Sequence, residues 1–366
     1  VRRALRVAVV GADPSGRGFG ARAHVPAVQA VDGLELAAVC TAHPDTARRA
    51  AARWRADRWF ADYREVAEDP DIDLVTVAVR VRAHRAIVEA ALAGGKLVYC
   101  EWPLCLSSAE AEPLVRLAAD QGLACAAGTQ GRFAPAVRFL KQLLDQGVIG
   151  RPLAFQASQL LARFAVESDR PWLAREDEGS GALQVATAHL TDTLQYLLGE
   201  LTWVSGLRVT RQPEDHYADT GAPFRWTAAD TVSYVGLLDG GTLGSCLVSN
   251  LADPAAGFSL RILGEEGQFL LAAPGYVSFS PAQLLHGAAG DDGLREVAVP
   301  GRHRPDLAVP ERSAGFNVAL ALEALARAHR DGTPFHPDFA DALRLHRVIE
   351  AVARSAETRA GVALVG

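Results

Sequence analysis

The side chains best suited to chemistry fall in three short runs of this 366-residue chain. The first is a glycine-rich turn, Gly11-Ala12-Asp13-Pro14-Ser15-Gly16-Arg17-Gly18-Phe19-Gly20. Directly after an apolar strand, such a turn lets the backbone approach a pyrophosphate, whose charge is met by amides at the next helix N-terminus. Its spacing departs from strict GxGxxG, and the same glycines also suit a plain tight turn, so the reading depends on strand-turn-helix context. The second run is Glu101-Trp102-Pro103 at the end of an apolar strand. The third is His189-Leu190-Thr191-Asp192, where an imidazole can exchange a proton near neutral pH and a carboxylate one helical turn later could orient it. Read from the residues alone, this pair serves equally as a helix cap and a solvated first-turn carboxylate.

The elements that must position these runs alternate through the first third of the chain. Arg6 to Val10 reads as a strand, and the glycine turn opens a helix toward Val31. Leu34 to Thr41 is a second strand, followed by a helix from Pro44 and a short strand near Trp59-Phe60. A strand over Leu74 to Val79, a helix over His84 to Ala93 and a strand over Leu97 to Cys100 follow. This order predicts an α/β Rossmann domain, a doubly wound parallel sheet with crossover helices on both faces, over residues 1–127.

From residue 128 to 366 the alternating pattern predicts an α+β domain with a large, mostly antiparallel open sheet under one helical layer. Its expected strands are Leu153 to Leu160, Thr202 to Thr210, Asp230 to Leu238, Thr242 to Asn250 and Ser259 to Leu263. Helices are expected near Val137 to Gln146 and over His189 to Leu198, and Pro281 to Pro310 reads as a loop and edge-strand region.

Composition narrows the function. A chain of 38.8 kDa exceeds the size at which one core stops growing, so two domains are expected. Net charge of -6 and the absence of a dense basic tract give no footprint for nucleic acid. No apolar run approaches the length of a membrane span, and Val1-Arg2-Arg3-Ala4-Leu5-Arg6 lacks the pattern of a secretory signal, which predicts a cytoplasmic protein. Five cysteines without CxxC spacing read as buried thiols, and ten scattered histidines without HxxxH or HExxH spacing predict no metal. Of 37 basic residues only Lys96 and Lys141 are lysines, leaving 37 minus 2, or 35, arginines.

The second strand ends Val39-Cys40-Thr41-Ala42-His43. A carboxylate there would hydrogen-bond the ribose 2′-hydroxyl of NAD. None stands in that place, and Thr41, His43 and nearby Arg48 or Arg49 could accept a 2′-phosphate, so NADP is expected over NAD.

Taken together, the glycine turn with His24-Val25-Pro26-Ala27, Val79 through His84, Glu101-Trp102-Pro103 and Gly181 through Asp192 resemble the Gfo/Idh/MocA oxidoreductase family over almost the whole chain. The likeness is strongest to the branch of the fungal galactose-regulon repressor. It rests on Gln130-Gly131-Arg132, Gln146 through Gly150, Leu194-Gln195-Tyr196 and Leu345 through Glu350. The resemblance implies a cofactor site of Gly11, Asp13, Ser15, Gly18, Phe19, Thr41, His43, Val79, His84, Glu101 and Trp102. It implies a wall for a sugar-like ligand from Trp102, Gln130, Arg132, Trp172, His189 and Tyr217, with His189 and Asp192 as the catalytic pair. It also implies a homodimer or homotetramer formed through the C-terminal sheet.

Two departures from that family stand out. Where it typically has Glu-Lys-Pro, this chain has Trp102, and indole donates one hydrogen bond without serving as a base. Where it often has Asp-x-Gly-x-His-x-x-Asp, this chain has Val185 through Asp192, keeping His189 but not the first acid. Two functions are therefore expected as alternatives. One is a dinucleotide-dependent oxidoreductase acting on a sugar, polyol or related keto compound. The other is a non-catalytic, NADP-dependent sensor that presents a surface to a protein partner.

Overall fold

The computed structural model describes residues 3–364, so Val1 and Arg2, part of the run read as lacking a secretory signal, lie outside it. The chain divides into two compact units, each described by itself. The first extends to Gln130 and is completed by Asp306–Arg344, and the second comprises Gly131–Pro305 and the chain from Leu345 onward. Among the described residues no helix is long and apolar enough to cross a membrane.

Six strands form the sheet of the first unit: β1 (Leu5–Val10), β2 (Leu34–Cys40), β3 (Arg58–Phe60), β4 (Leu74–Val77), β5 (Leu97–Glu101) and β6 (Cys125–Gly128). Every pairing is parallel, in the order β3-β2-β1-β4-β5-β6, which is the doubly wound arrangement with its switch point between β1 and β4. Val7, Ala8, Val9, Leu74, Val75, Val77, Val98 and Tyr99 are buried, as strands covered on both faces require. The helix Ser108–Gln121 and β6, which the sequence reading did not separate, complete the winding.

A linear boundary at residue 127 does not describe this unit, because the helix Gly315–Asp331 packs on the short helix Val25–Ala30 and on the turn before it. A Cβ built on Gly315 would lie 2.9 Å from the Ala23 carbonyl oxygen. Farther on, Ala127 N–H donates to the Pro337 carbonyl at 2.9 Å. Long-range contacts of this kind leave no mark in local periodicity.

Lys96, at the entrance of β5, is a structural lysine. Its ammonium donates to the Asp69 carbonyl at 2.5 Å and the Ile72 carbonyl at 2.9 Å. Burial lowers its pKa, and the charges of Asp69 and Asp73 partly oppose that shift.

The second unit is built on nine strands in the order β16-β15-β14-β13-β7-β12-β11-β8-β17. These are β7 (Pro152–Leu160), β8 (Leu201–Val209), β11 (Thr231–Leu238), β12 (Leu243–Ser249), β13 (Gly257–Gly264), β14 (Gly267–Ala273), β15 (Gln283–Ala288), β16 (Arg295–Glu296) and β17 (Val362–Ala363). A separate hairpin pairs β9 (Glu214–His216) with β10 (Pro223–Arg225). The expected antiparallel pattern holds except at its centre, where β7 and β12 run parallel.

Alternation along the strands gives this sheet two different faces. Phe155, Ala157, Val232, Tyr234, Val248, Phe258, Leu260, Ile262, Phe269 and Leu271 point inward and are buried. Each large one contributes roughly 1.5–3 kcal/mol by leaving water. The helices Pro135–Asp145 and Ala188–Leu198 pack together, and the second also packs on β7. The opposite face carries exposed Leu207, Val235, Leu243, Leu247 and Leu263, interspersed with Ser158, Ser205, Ser233 and Ser259.

Two outcomes test these assignments. Lys96→Met leaves the buried Ile72 carbonyl and the part-buried Asp69 carbonyl without their donor and should cost about 1–3 kcal/mol in urea unfolding. Unchanged stability would contradict the capping role. His346 is buried in the helix Phe339–Thr358, and burial pushes its pKa down to about 3. The unfolded chain therefore binds this proton first, and stability should be lost as pH falls from about 6.5 toward 3, by up to about 5 kcal/mol. His346→Leu should flatten the fall of Tm with pH across that window, although buried His84, whose pKa is also lowered by burial, will keep part of the slope.

Candidate active site

In the first unit the site is built where β1 and β4 part. Gly11 follows β1 at φ 103°, and a Cβ there would lie 2.3 Å from the Ala78 carbonyl oxygen. Only glycine permits the chain to turn this close to the end of β4. Its N–H donates to Cys40 O at 2.9 Å, tying the turn to the end of β2 as well.

The loop that follows is closed on itself by Asp13. Its carboxylate accepts from the N–H of Ser15 and of Gly18, each at 2.9 Å, and from the Ser15 hydroxyl. Burial works against this charge, but the Ser15 hydroxyl and the amides of Gly18, Ser15 and Gly16 outweigh it and hold the pKa below the usual carboxylate value. From the helix Pro44–Trp54, Arg53 reaches back to donate to Pro14 O at 2.8 Å.

After the loop the chain does not enter an α-helix directly. Gly20–His24 is a π-helical turn in which Val25 N–H bonds Gly20 O. Single π turns of this kind frequently occur at functional sites. The turn delivers His24 to the interior, where its Nε2 lies 2.7 Å from Glu101 Oε1 and its ring meets Tyr99 edge-on at 5.2 Å. His24 Nδ1, Tyr99 Oη and Thr76 Oγ1, the last on the residue paired with Tyr99 across β4 and β5, are buried without a hydrogen-bond partner. Buried polar atoms left without partners are uncommon and mark sites of strain or function.

Glu101 thus sits where the sequence placed it, at the end of β5, and its carboxylate is directed to His24. Trp102 beyond it, expected at both the cofactor site and the ligand wall, is only 6% exposed, so most of its indole is already covered. His84 lies within the helix Val81–Ala93 and is buried. Its Nδ1 is 2.8 Å from Pro103 O and its Nε2 3.2 Å from Val79 O. Burial lowers its pKa despite these carbonyls, and the ring is enclosed between the exits of β4 and β5 instead of facing outward.

At the end of β2 the expected 2′-phosphate acceptors are partly committed. Thr41 Oγ1 lies 2.6 Å from Thr46 Oγ1 and donates to His43 O, while exposed Arg48 pairs with Asp45. His43 and Arg49 are exposed.

In the second unit a further π-helical turn, Ala182–Thr187, leads into the helix Ala188–Leu198 and sets His189 in its first turn. His189 is half-buried, its Nδ1 3.4 Å from Ser278 Oγ and its ring edge-on to Tyr276 at 6.4 Å. Asp192, expected to orient His189, receives a fork from Arg132. Nε is 3.0 and 2.9 Å from its two oxygens, and a terminal nitrogen is 2.6 Å from Oδ1. Arg132, expected on the ligand wall, therefore spends its guanidinium on a carboxylate that is buried.

The remaining wall residues lie on separate segments of the chain. Gln130 is buried at the end of the first unit with its Oε1 unbonded. Trp172 lies in the turn Pro171–Ala174 beside Arg170. Tyr217 stacks on Phe224 at 4.5 Å and lines a cavity of about 690 Å³ with Pro171, Arg175, Glu176, Asp177, Arg225 and Thr227, apart from His189. Sequence reasoning gave no role to His24, Tyr99, Ser278 or Tyr276. Their partners lie too far along the chain for spacing to reveal, although His24 opens the run His24-Val25-Pro26-Ala27.

Residues 5–129 match the family described as "Oxidoreductase family, NAD-binding Rossmann fold", and residues 137–270 match the "GFO/IDH/MocA C-terminal domain". A levoglucosan dehydrogenase of Pseudarthrobacter phenanthrenivorans is 26% identical, over 87% of this chain and 86% of that protein. The scyllo-inositol 2-dehydrogenase (NAD(+)) of Bacillus subtilis is 27% identical over 67% of this chain and 68% of its own length. A structure of levoglucosan dehydrogenase with NADH and levoglucosan superposes with a TM-score of 0.87 at 24% identity, covering both chains completely. A super-repressor mutant of Gal80p from Saccharomyces cerevisiae superposes at 0.86 with 20% identity, covering 98% of this chain and 97% of that one. The last two likenesses are of fold. The two domain matches together span most of the chain in their proper order, and the protein belongs to the Gfo/Idh/MocA family, which includes dehydrogenases of sugars and polyols.

Proposed function

We propose that this protein is an NAD-dependent oxidoreductase acting on a sugar, polyol or related keto compound, with His189 moving the proton that a family lysine would otherwise move. The observation that carries the reading is the glycine turn at the β1/β4 switch point, held against Glu101 through His24. The close backbone approach at Gly11 fits a dinucleotide there. When bound, the cofactor supplies the hydride acceptor or donor. The chain must bind the polar substrate, orient it and take or give the hydroxyl proton. His189 suits that last task because imidazole titrates near neutrality, and Ser278 can fix the ring through Nδ1.

NAD is proposed in place of the NADP expected from the end of β2. Thr41 is engaged by Thr46 and His43 O, and Asp45 sets an exposed carboxylate in the same turn. The relatives whose names state a cofactor carry NAD(+) or NADH.

One observation favours the sensor as a second reading. Neither lysine stands in for the missing one: Lys96 caps backbone carbonyls, and Lys141 pairs with Asp145 along the helix Pro135–Asp145. Trp102 offers no base.

We further propose a homodimer or homotetramer whose copies cover the outer sheet face. Leu207 is 61% exposed and Leu243 54%, and together with Val235, Leu247 and Leu263 they form an apolar field unusual on a monomer.

NADH and NADPH deuterated at both C4 positions, incubated with the protein and the keto forms of candidate sugars and polyols, should pass label to a small substrate from NADH more than from NADPH. In the same assay His189→Asn should lower kcat by about 10²–10⁴-fold while dinucleotide affinity holds. Full turnover in that variant would remove His189 from the proton step. Dinucleotide binding without transfer, together with activity created by Trp102→Lys, would favour the sensor. For the assembly, sedimentation should find the parent dimeric or larger and the double variant Leu207→Glu, Leu247→Glu monomeric. A monomeric parent would rule out the proposed face.

A further inference from the structure

The glycine loop meets an anion before any ligand arrives, and that anion belongs to the chain. Asp13 lies two residues beyond Gly11, and its two carboxylate oxygens engage the loop differently. Oδ1 takes the Ser15 N–H at 2.9 Å together with the Ser15 hydroxyl, and Oδ2 takes the Gly18 N–H at 2.9 Å. Backbone and carboxylate are in close register at Gly18, where a Cβ would lie 2.5 Å from Asp13 Oδ2. The loop is therefore shaped around this carboxylate.

Successive amides turned to one centre form a nest for a negatively charged group. In a dinucleotide-binding turn that group is the pyrophosphate, whose charge has the same sign as Asp13. One set of donors cannot serve both, and the two charges repel at short range. Resting on the dinucleotide reading above, we propose that Asp13 is an internal competitor for the pyrophosphate cradle, so that cofactor binding requires this carboxylate to leave the amides of Ser15 and Gly18. Asp13 thereby sets the affinity of the cofactor site instead of adding to it. The Ser15 hydroxyl and the loop amides hold its pKa below the usual carboxylate value, so the group stays ionised and competition persists across neutral pH.

The test is direct binding, measured by calorimetry on the full chain with NADH, ADP-ribose and adenosine as probes. Asp13→Asn is nearly isosteric and keeps an oxygen for Ser15, and Asp13→Ser removes the carboxylate altogether. Thermal unfolding of each variant verifies folding. Both should bind NADH and ADP-ribose roughly tenfold tighter than the parent, with adenosine, which lacks the pyrophosphate, unchanged. Affinity equal to or weaker than the parent's in the folded variants would overturn the proposal and make Asp13 a brace or a direct cofactor contact. A gain shared by adenosine would overturn it too, since opening of the loop and not charge would then be the cause. If parent and variants alike ignore NADH, NADPH and ADP-ribose, the dinucleotide reading fails first and takes this one with it. A parent that binds without any gain in the variants sinks only the role of Asp13.

Discussion

A buried imidazole and a buried carboxylate, 77 positions apart in the chain and 2.7 Å apart in space, set the terms for the first unit. His24 and Glu101 are polar groups withdrawn from water, and either left alone would be costly. Their contact needs the chain after β1 to enter the interior at a particular depth, and the π-helical turn Gly20–His24 provides that depth. The glycine loop is consequently pinned at both ends, by Gly11 against Ala78 and by His24 against Glu101. The helix Gly315–Asp331 then seals the same turn from outside.

Much of this fold is legible in the sequence, because strands buried on both faces leave apolar runs and half-buried strands alternate. Five second-unit strands fall within two residues of their expected ends for that reason. The parallel β7/β12 pair is not legible, since alternation records which face a residue takes but not the direction of its neighbour. Nor is the return of Asp306–Arg344 to the first unit, which depends on contacts such as Ala127 with Pro337.

At the candidate site, residue types are legible and partnerships are not. Glu101 and His189 stand out as chemistry-bearing groups at element ends. That Glu101 faces His24, that His189 faces Ser278, and that Arg132 takes Asp192 depend on pairings 77, 89 and 60 positions apart. Asp192, one helical turn from His189, also takes a guanidinium fork from Arg132 that spacing gave no sign of. The two π-helical turns, one ending at His24 and one just before His189, have no signature in residue type, yet each delivers a histidine to its place.

The division of the chain also bears on how the protein comes into being. The first unit is discontinuous, interrupted after Gln130 and resumed only at Asp306. A nascent chain leaving the ribosome therefore presents six paired strands long before the helix that closes the turn at His24 has been made. Until the chain has emerged as far as the helix Gly315–Asp331, the apolar side of the helix Val25–Ala30 lacks its cover, a condition that invites chaperone engagement. No simple truncation yields the dinucleotide-binding unit whole, and a loss of chain beyond residue 305 strikes the N-terminal sheet as directly as it strikes the C-terminal one.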